Sequence, residues 1–160
     1  MRRLLIGANP RLTLARAAAT ITAAYVLFGY VLLPVRLHGI SMRPTYREGA
    51  INFANRLTFW RREPARGDVV AIRMAGRGAM YVKRIVGLPH ERLEIVGGMV
   101  LVDGRPLDEP AVVHRAPWNL PPFTLAADEY FVVGDNRGMA IENHDLGRAR
   151  RDRIVGRMLF

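Results

Sequence analysis

From Ala17 to Val35 the chain runs for 19 residues without a charge, AAATITAAYVLFGYVLLPV. As a helix, at about 1.5 Å per residue, such a run is roughly 28 Å long. That is close to the hydrocarbon thickness of a bilayer, about 30 Å. A buried core helix or a cleaved secretion signal also starts from a run like this. The run exceeds most signal h-regions, and no small-x-small cleavage site leads into a polar stretch. We read residues 17–35 as a retained transmembrane helix ending near Pro34. Arg2, Arg3, Arg11 and Arg16 precede it without any acidic residue. The positive-inside rule then makes residues 1–16 cytoplasmic and puts 36–160 on the outer face of the cell membrane, as a single-pass protein.

The outer segment reads as short strands rich in Val, Ile, Phe and Tyr and bounded by glycine or proline. They are expected at Ala50–Asn55, Asp68–Met74, Met80–Val86, Arg92–Val96, Met99–Val102, Glu129–Val133 and Arg153–Leu159. Gly97-Gly98 is a two-residue hairpin signal. Residues 105–122 carry Pro106, Pro110, Pro117, Pro121 and Pro122 and are expected to form an irregular excursion. The fold class expected is a mainly β, antiparallel domain of one or two small sheets behind one transmembrane α-helix.

Composition removes several chemistries. There is no cysteine, so thiolate sites and disulfides are excluded. His38, His90, His114 and His144 lack metal-ligand spacing and read as surface residues, so neither metal nor cofactor is expected. The net charge is +10, and all but one of the 24 basic residues are arginine. Such an excess suits an anionic membrane surface or nucleic acid, or reflects a bias towards arginine. No basic stripe interleaved with aromatics is present for base stacking. The partners expected are a peptide emerging from the membrane and the lipid bilayer, with no nucleic acid. Phe59-Trp60-Arg61-Arg62 reads equally as a membrane-interface cluster and as a strand end packed on the core.

Against that background two residues stand out. Ser41 is the only serine and Lys83 the only lysine. Ser41 follows Val35 by six residues, so it lies within about 20 Å of the expected membrane boundary. A serine hydroxyl needs a base to become nucleophilic. A lysine desolvated to its neutral form can serve, whereas arginine stays protonated. Lys83 sits in the alternating stretch M-Y-V-K-R-I-V, with Tyr81 and Ile85 expected on its own face. A snorkelling surface lysine is the competing reading.

Four short boxes give these residues a context. S-M-R-P-T at 41–45 resembles the S-M-x-P-T box of bacterial signal peptidase I, and R-G-D-V-V at 66–70 resembles that family's second box. Y-V-K-R-I-V-G-L-P at 81–89 is similar to its lysine box, and G-D-N-R at 134–137 to the start of its last box. They occur in family order and cover most of the chain after the apolar run.

The resemblance implies a largely β fold and a serine endopeptidase that cleaves signal peptides after small residues. It implies Ser41 as nucleophile and Lys83 as general base in a Ser–Lys dyad. It implies an oxyanion held by the Ser41 backbone N–H, on a substrate loop formed by Gly39, Ile40, Met42 and Pro44. Gly39 stands where some members carry a hydroxyl, which leaves only backbone donors. Around the dyad, Tyr81, Arg84, Gly134, Asp135, Arg137, Glu142 and Asn143 are the expected supporting residues. Related peptidases of the endoplasmic reticulum type carry histidine where Lys83 stands.

The last box departs from the family pattern. Ala140 occupies the position of the serine that usually contacts the lysine. Glu142 is expected to replace an aspartate that pairs with an arginine, Arg84 or Arg137. Asn143 or Asp145 is the expected source of a substitute polar contact to Lys83, although a charged Asp145 would raise the lysine pKa and oppose catalysis. His144 stands where an arginine is usual. These departures keep two alternatives open. One is a specialised maturation peptidase of a conjugative-transfer type. The other is a catalytically silent membrane protein that binds peptides on the same fold.

Overall fold

A computed structural model describes residues 9–73 and 80–159. Arg2 and Arg3 of the N-terminal flank, and Met74 at the end of one expected strand, lie outside them.

The apolar run folds as a helix, but with shifted bounds. Helix α1, Pro10–Val26, continues through a wider π-type turn, Leu27–Val31. Asn9 caps it, its side chain accepting from the Leu12 N–H at 3.3 Å, with Pro10 at the first helical position. Charge counting started the span after Arg16, yet long arginine stems let charged heads reach out from a helix end, so Arg11 and Arg16 fit inside it. At the far end Leu32–Arg36 leaves the helix as strand β1. Pro34 cannot continue a helix and biases the residue before it towards extended backbone. Helix α1 buries none of its residues, and Ile21 and Tyr25 on it are 70% and 67% exposed. A helix apolar from Ala17 onward with no protein packed around it is suited to lipid. Pro10–Val31, 22 residues, is the one helix among the described residues long and apolar enough to cross a membrane.

The remaining strands are β2 (Ile51–Asn55), β3 (Val69–Arg73), β4 (Met80–Gly87), β5 (Arg92–Val96), β6 (Met99–Val102), β7 (Arg105–Pro106), β8 (Leu120–Thr124), β9 (Glu129–Val133), β10 (Gly147–Arg150) and β11 (Ile154–Met158). One short helix, α2, spans Thr58–Arg61. Seven strands form a sheet in the order β1-β2-β11-β3-β4-β9-β10, and four form a second in the order β7-β6-β5-β8. All pairings are antiparallel. The mainly β, antiparallel fold read from the sequence is the fold observed.

Residues 105–122 are more regular than expected, because β7 and the start of β8 fall inside them. Both strands lie at edges of the small sheet. An edge strand can present a proline without losing a ladder bond, which accommodates Pro106, Pro121 and Pro122. The same reason admits Pro34 to β1, an edge of the large sheet. Gly97-Gly98 makes the expected hairpin, both glycines having positive φ (56° and 86°). Asp103-Gly104 makes another between β6 and β7.

The large sheet is apolar on both faces. On β3, Val69 and Ala71 join a cluster with Met42, Tyr46 and Val82, while Val70 and Ile72 join one with Phe59, Ile85 and Val132. A third cluster, including Leu93, Trp118, Leu125 and Phe131, joins the small sheet to the large one. Gly87 at the end of β4 sits where these layers meet. A Cβ there would lie 2.3 Å from Leu93 Cδ1 and 2.9 Å from Phe131 Cβ. Gly87→Ala should therefore destabilise the fold by about 1–3 kcal/mol through overpacking, read as a lowered urea midpoint of the full chain in detergent. An unchanged midpoint would mean the two sheets are not packed this closely.

Candidate active site

Lys83 is carried by β4, opposite Val70 of β3, and is 2% exposed. Its Nζ lies 2.9 Å from Ser41 Oγ, 42 residues away in sequence, and this is its one hydrogen bond among the described residues. The Tyr81 ring lies on the same strand, its centroid 5.8 Å from Nζ. An ammonium has three protons to place, and a buried site offering one acceptor disfavours it. Burial accordingly lowers the Lys83 pKa from its ordinary 10.5, against a smaller opposing pull from Asp145. The snorkelling surface lysine is not what is observed.

Ser41 enters from the other side, in the turn that follows β1. Gly39 has φ +83°, a conformation that favours glycine and turns the chain into the serine. The turn is closed by Arg43 N–H to the Ile40 carbonyl (3.1 Å) and Tyr46 N–H to the Met42 carbonyl (3.0 Å). Met42 and Tyr46 are buried in the core, which anchors it. Pro44 follows a cis peptide bond and is exposed.

The loop after β9 docks this turn. Asn136 donates its backbone N–H to the Ser41 carbonyl at 2.9 Å and its side-chain amide to the Ile40 carbonyl at 3.1 Å. Gly134 has no room for a side chain, since a Cβ would fall 2.1 Å from the Ser41 carbonyl oxygen and 2.8 Å from His144. Asp135 is 2% exposed and accepts from Arg84 Nε and Nη2, both at 2.7 Å. It also accepts from the Thr45 hydroxyl, the last residue of the serine box. Arg84 follows Lys83 on β4 and gives its remaining Nη1 to the Gly67 carbonyl at 2.8 Å. The serine box, the second box, the lysine box and the last box thus meet at one carboxylate and one guanidinium.

The structure corrects three expectations about the last box. Glu142 is exposed and has no ion pair among the described residues. Arg84 takes Asp135 instead. Arg137, buried to 2% exposure, takes Glu109 and gives Nε to the Gly134 carbonyl at 2.9 Å. Glu109 lies in the proline-rich segment, and nothing in its local sequence marks it. Asn143 and Asp145 line the cleft beside Lys83 without hydrogen bonding to it. His144 is 5% exposed rather than at the surface. It stacks edge-on to Trp118 at 4.8 Å, and neither ring nitrogen has a hydrogen-bond partner. Burial, then the nearby Lys83 and Arg137 charges, lower its pKa to about 4, so it is neutral near pH 7. It fills space beneath Gly134 that an arginine could occupy only with a charge to neutralise. His38, His90 and His114 are exposed, as expected.

A cleft of about 390 Å³ opens over the pair, lined among others by Leu37, Gly39, Ile40, Met139 and Tyr81. Its walls are mostly apolar, and it can hold an extended peptide with a carbonyl carbon near Ser41 Oγ. Among the described residues no group of three or more His, Cys, Asp or Glu is arranged to hold a metal.

In the Phe59–Arg62 segment the two readings divide. Phe59 is buried at 7% exposure and packs in the core, whereas Trp60 is 82% exposed.

Comparison with known proteins agrees with the boxes. Residues 11–160 match the family described as signal peptidase, peptidase S26. Signal peptidase I of Leptolyngbya laminosa is 29% identical over 125 residues, 73% of this chain and 62% of that protein. A probable signal peptidase I of Synechocystis sp. is 28% identical over 145 residues, 86% of this chain and 74% of that protein. Signal peptidase I of Bacillus licheniformis is 26% identical over 151 residues, 88% of this chain and 81% of that protein. The chain thus spans less than two thirds of the Leptolyngbya protein. A crystal structure of a signal peptidase I from Enterococcus faecalis superposes on 60% of this chain and 97% of its own, with 24% identity and a TM-score of 0.48.

Gly134→Ala tests the docking of the serine turn. The added methyl should push the Ser41 carbonyl away and lower kcat at least about tenfold, a cost a misplacement near 1 Å can reach. Wild-type kcat in that variant would show that the loop does not position Ser41.

Proposed function

The chain belongs to the signal peptidase family, peptidase S26, and from that we propose that it is a membrane-anchored serine endopeptidase that removes signal peptides from exported preproteins. The observation that carries the reading is the 2.9 Å contact between the buried Lys83 amine and the Ser41 hydroxyl. Neutral Lys83 takes the hydroxyl proton as Ser41 Oγ attacks the scissile carbonyl carbon. The Ser41 backbone N–H lies on the turn where the developing oxyanion forms and donates to it. Lys83 then gives the proton to the leaving amine, and the acyl ester on Ser41 remains. A water attacks that ester and loses a proton to Lys83; the bond to Ser41 Oγ then breaks, Lys83 returns the proton to Oγ, and the acid product leaves as its carboxylate. With Ala140 in place of the usual serine, the amine is held by Ser41 and by the walls of its pocket.

Helix α1 supplies the anchor in this reading. By the positive-inside rule, Arg2, Arg3, Arg11 and Arg16 support a cytoplasmic N-terminal side, with β1 onwards at the outer face. The exit of β1 directly from the helix keeps Ser41 near the bilayer, where a signal peptide emerges. A catalytically silent peptide binder has no use for a desolvated lysine against the lone serine, and the geometry favours the enzyme over it. A maturation peptidase with one or few substrates uses the same chemistry and differs in substrate range.

Lys83→Arg keeps the charge and removes the base. It should lower the rate of cleavage of a membrane-bound preprotein at least about 100-fold, and Ser41→Ala should abolish it. Cleavage at the parental rate by Lys83→Arg would contradict the dyad. The pH dependence has a definite sign. Only the neutral amine is active, so the rate should rise with pH to a plateau whose midpoint lies below 10.5. Between that midpoint and 10.5 the unfolded chain holds a proton the folded chain has lost, so stability should also rise with pH there.

A further inference from the structure

A second cleft, about 430 Å³, shares Tyr81, Lys83 and Asp145 with the first and extends beside β3, β10 and the Arg151–Arg153 turn. Its walls carry four arginines. Arg150 is paired with Asp128 at 2.8 Å, and Arg148 with Glu129 at 3.5 Å. Arg73 and Arg153 are exposed and have no acidic partner among the described residues. Asp145 is the one acidic side chain in the lining and leaves the cleft cationic.

This is more than the general abundance of arginine. From Leu32 onward the described residues include eighteen arginines, of which eleven have a carboxylate within 4.0 Å. Of the seven left over, Arg73 and Arg153 line this cleft, and Arg36 and Arg47 line the first. Unneutralised guanidinium groups thus gather around the two clefts that flank Lys83, whereas most others are matched within the chain. A peptide with its scissile carbonyl at Ser41 passes Lys83 within one or two residues, at about 3.3 Å per residue. Its neighbouring side chains then reach the second cleft.

We propose that the Arg73–Arg153 cleft is a specificity site for an acidic side chain of the substrate, on the segment adjoining the cleaved bond. This rests on the peptidase reading of Ser41 and Lys83. A guanidinium offers a planar fork of donors to a carboxylate. A substrate with an amide or a cation at that position loses the pairing, or meets like charge.

The test uses the full chain in detergent and a peptide with alanines before the cleaved bond. Asp or Glu is compared with Asn or Gln at each of the three residues on either side. At one position or more, the acid should raise kcat/KM about tenfold over the amide, and 0.5 M salt should erode the preference. The Arg73→Ala, Arg153→Ala double variant should bring the acid-to-amide ratio below about two, and Arg153→Glu should favour lysine at that position. Equal rates for acid and amide, or a preference that survives the double variant, would overturn the proposal. Loss of binding to phosphatidylglycerol vesicles without a change in the peptide ratio would overturn it too, assigning the arginines to lipid. Peptide binding to Ser41→Ala separates this from the parent reading. If that chain binds the acidic peptide about tenfold tighter while the wild type cleaves nothing, the cleft stands and the peptidase assignment falls.

Discussion

One buried carboxylate holds the site together. Asp135 is almost wholly withdrawn from water, and a charge in that position is stable only if it is paired and hydrogen-bonded. Its partners come from three separate segments: Arg84 from the strand bearing Lys83, Thr45 from the turn bearing Ser41, and its own loop, which binds the Ser41 carbonyl through Asn136. Satisfying Asp135 therefore brings the Ser41 hydroxyl and the Lys83 amine together. The proposed chemistry asks for the opposite environment at Lys83. One residue along β4 from Arg84, Lys83 faces a pocket with a single acceptor. Alternation along a strand sends the two side chains to opposite faces, so one receives an ion pair and the other is desolvated.

The departures in the last box make sense in this frame. The family resemblance led to an expectation that Glu142 would pair with Arg84 or Arg137. Asp135 and Glu109 already satisfy those guanidinium groups, which leaves Glu142 free to face solvent. A third cation at position 144 would then have no carboxylate. A neutral imidazole avoids that problem, and packing against Trp118 compensates in part for its unbonded nitrogens.

Much of this was legible from residue order. The central strands were legible as short runs rich in Val, Ile, Phe and Tyr bounded by glycine or proline, and β5, β6 and β9 have the expected bounds. Strands β1, β7 and β8 were hidden because proline argues against a strand, and only knowledge of which strands lie at sheet edges reverses that argument. Strand β10, G-R-A-R, buries only Ala149 and has no apolar pattern to detect. At the site, Ser41, Lys83 and the boxes were visible as residue types and spacing. Glu109 and the burial of His144 depend on contacts across the fold, and local sequence carries no trace of them; Asn136 lay in the G-D-N-R box, but its contacts to the serine turn could not be read there. Thr45 was in view as part of its box, but its task became clear only with Asp135 beside it.

The central claim is that Lys83 is a neutral base at the pH where the protein works. The chain offers an unusually direct way to read it, because there is one lysine in 160 residues. Labelling the protein with ¹⁵N-lysine at Nζ gives a single side-chain amine signal, which can be titrated by NMR in detergent with no assignment problem. The account predicts a midpoint clearly below the ordinary 10.5, moving upward towards that value when Tyr81→Ala or Met139→Ala admits water to the cleft. A wild-type signal that titrates at 10.5 would contradict it, since the amine at Ser41 would then be a solvated ammonium.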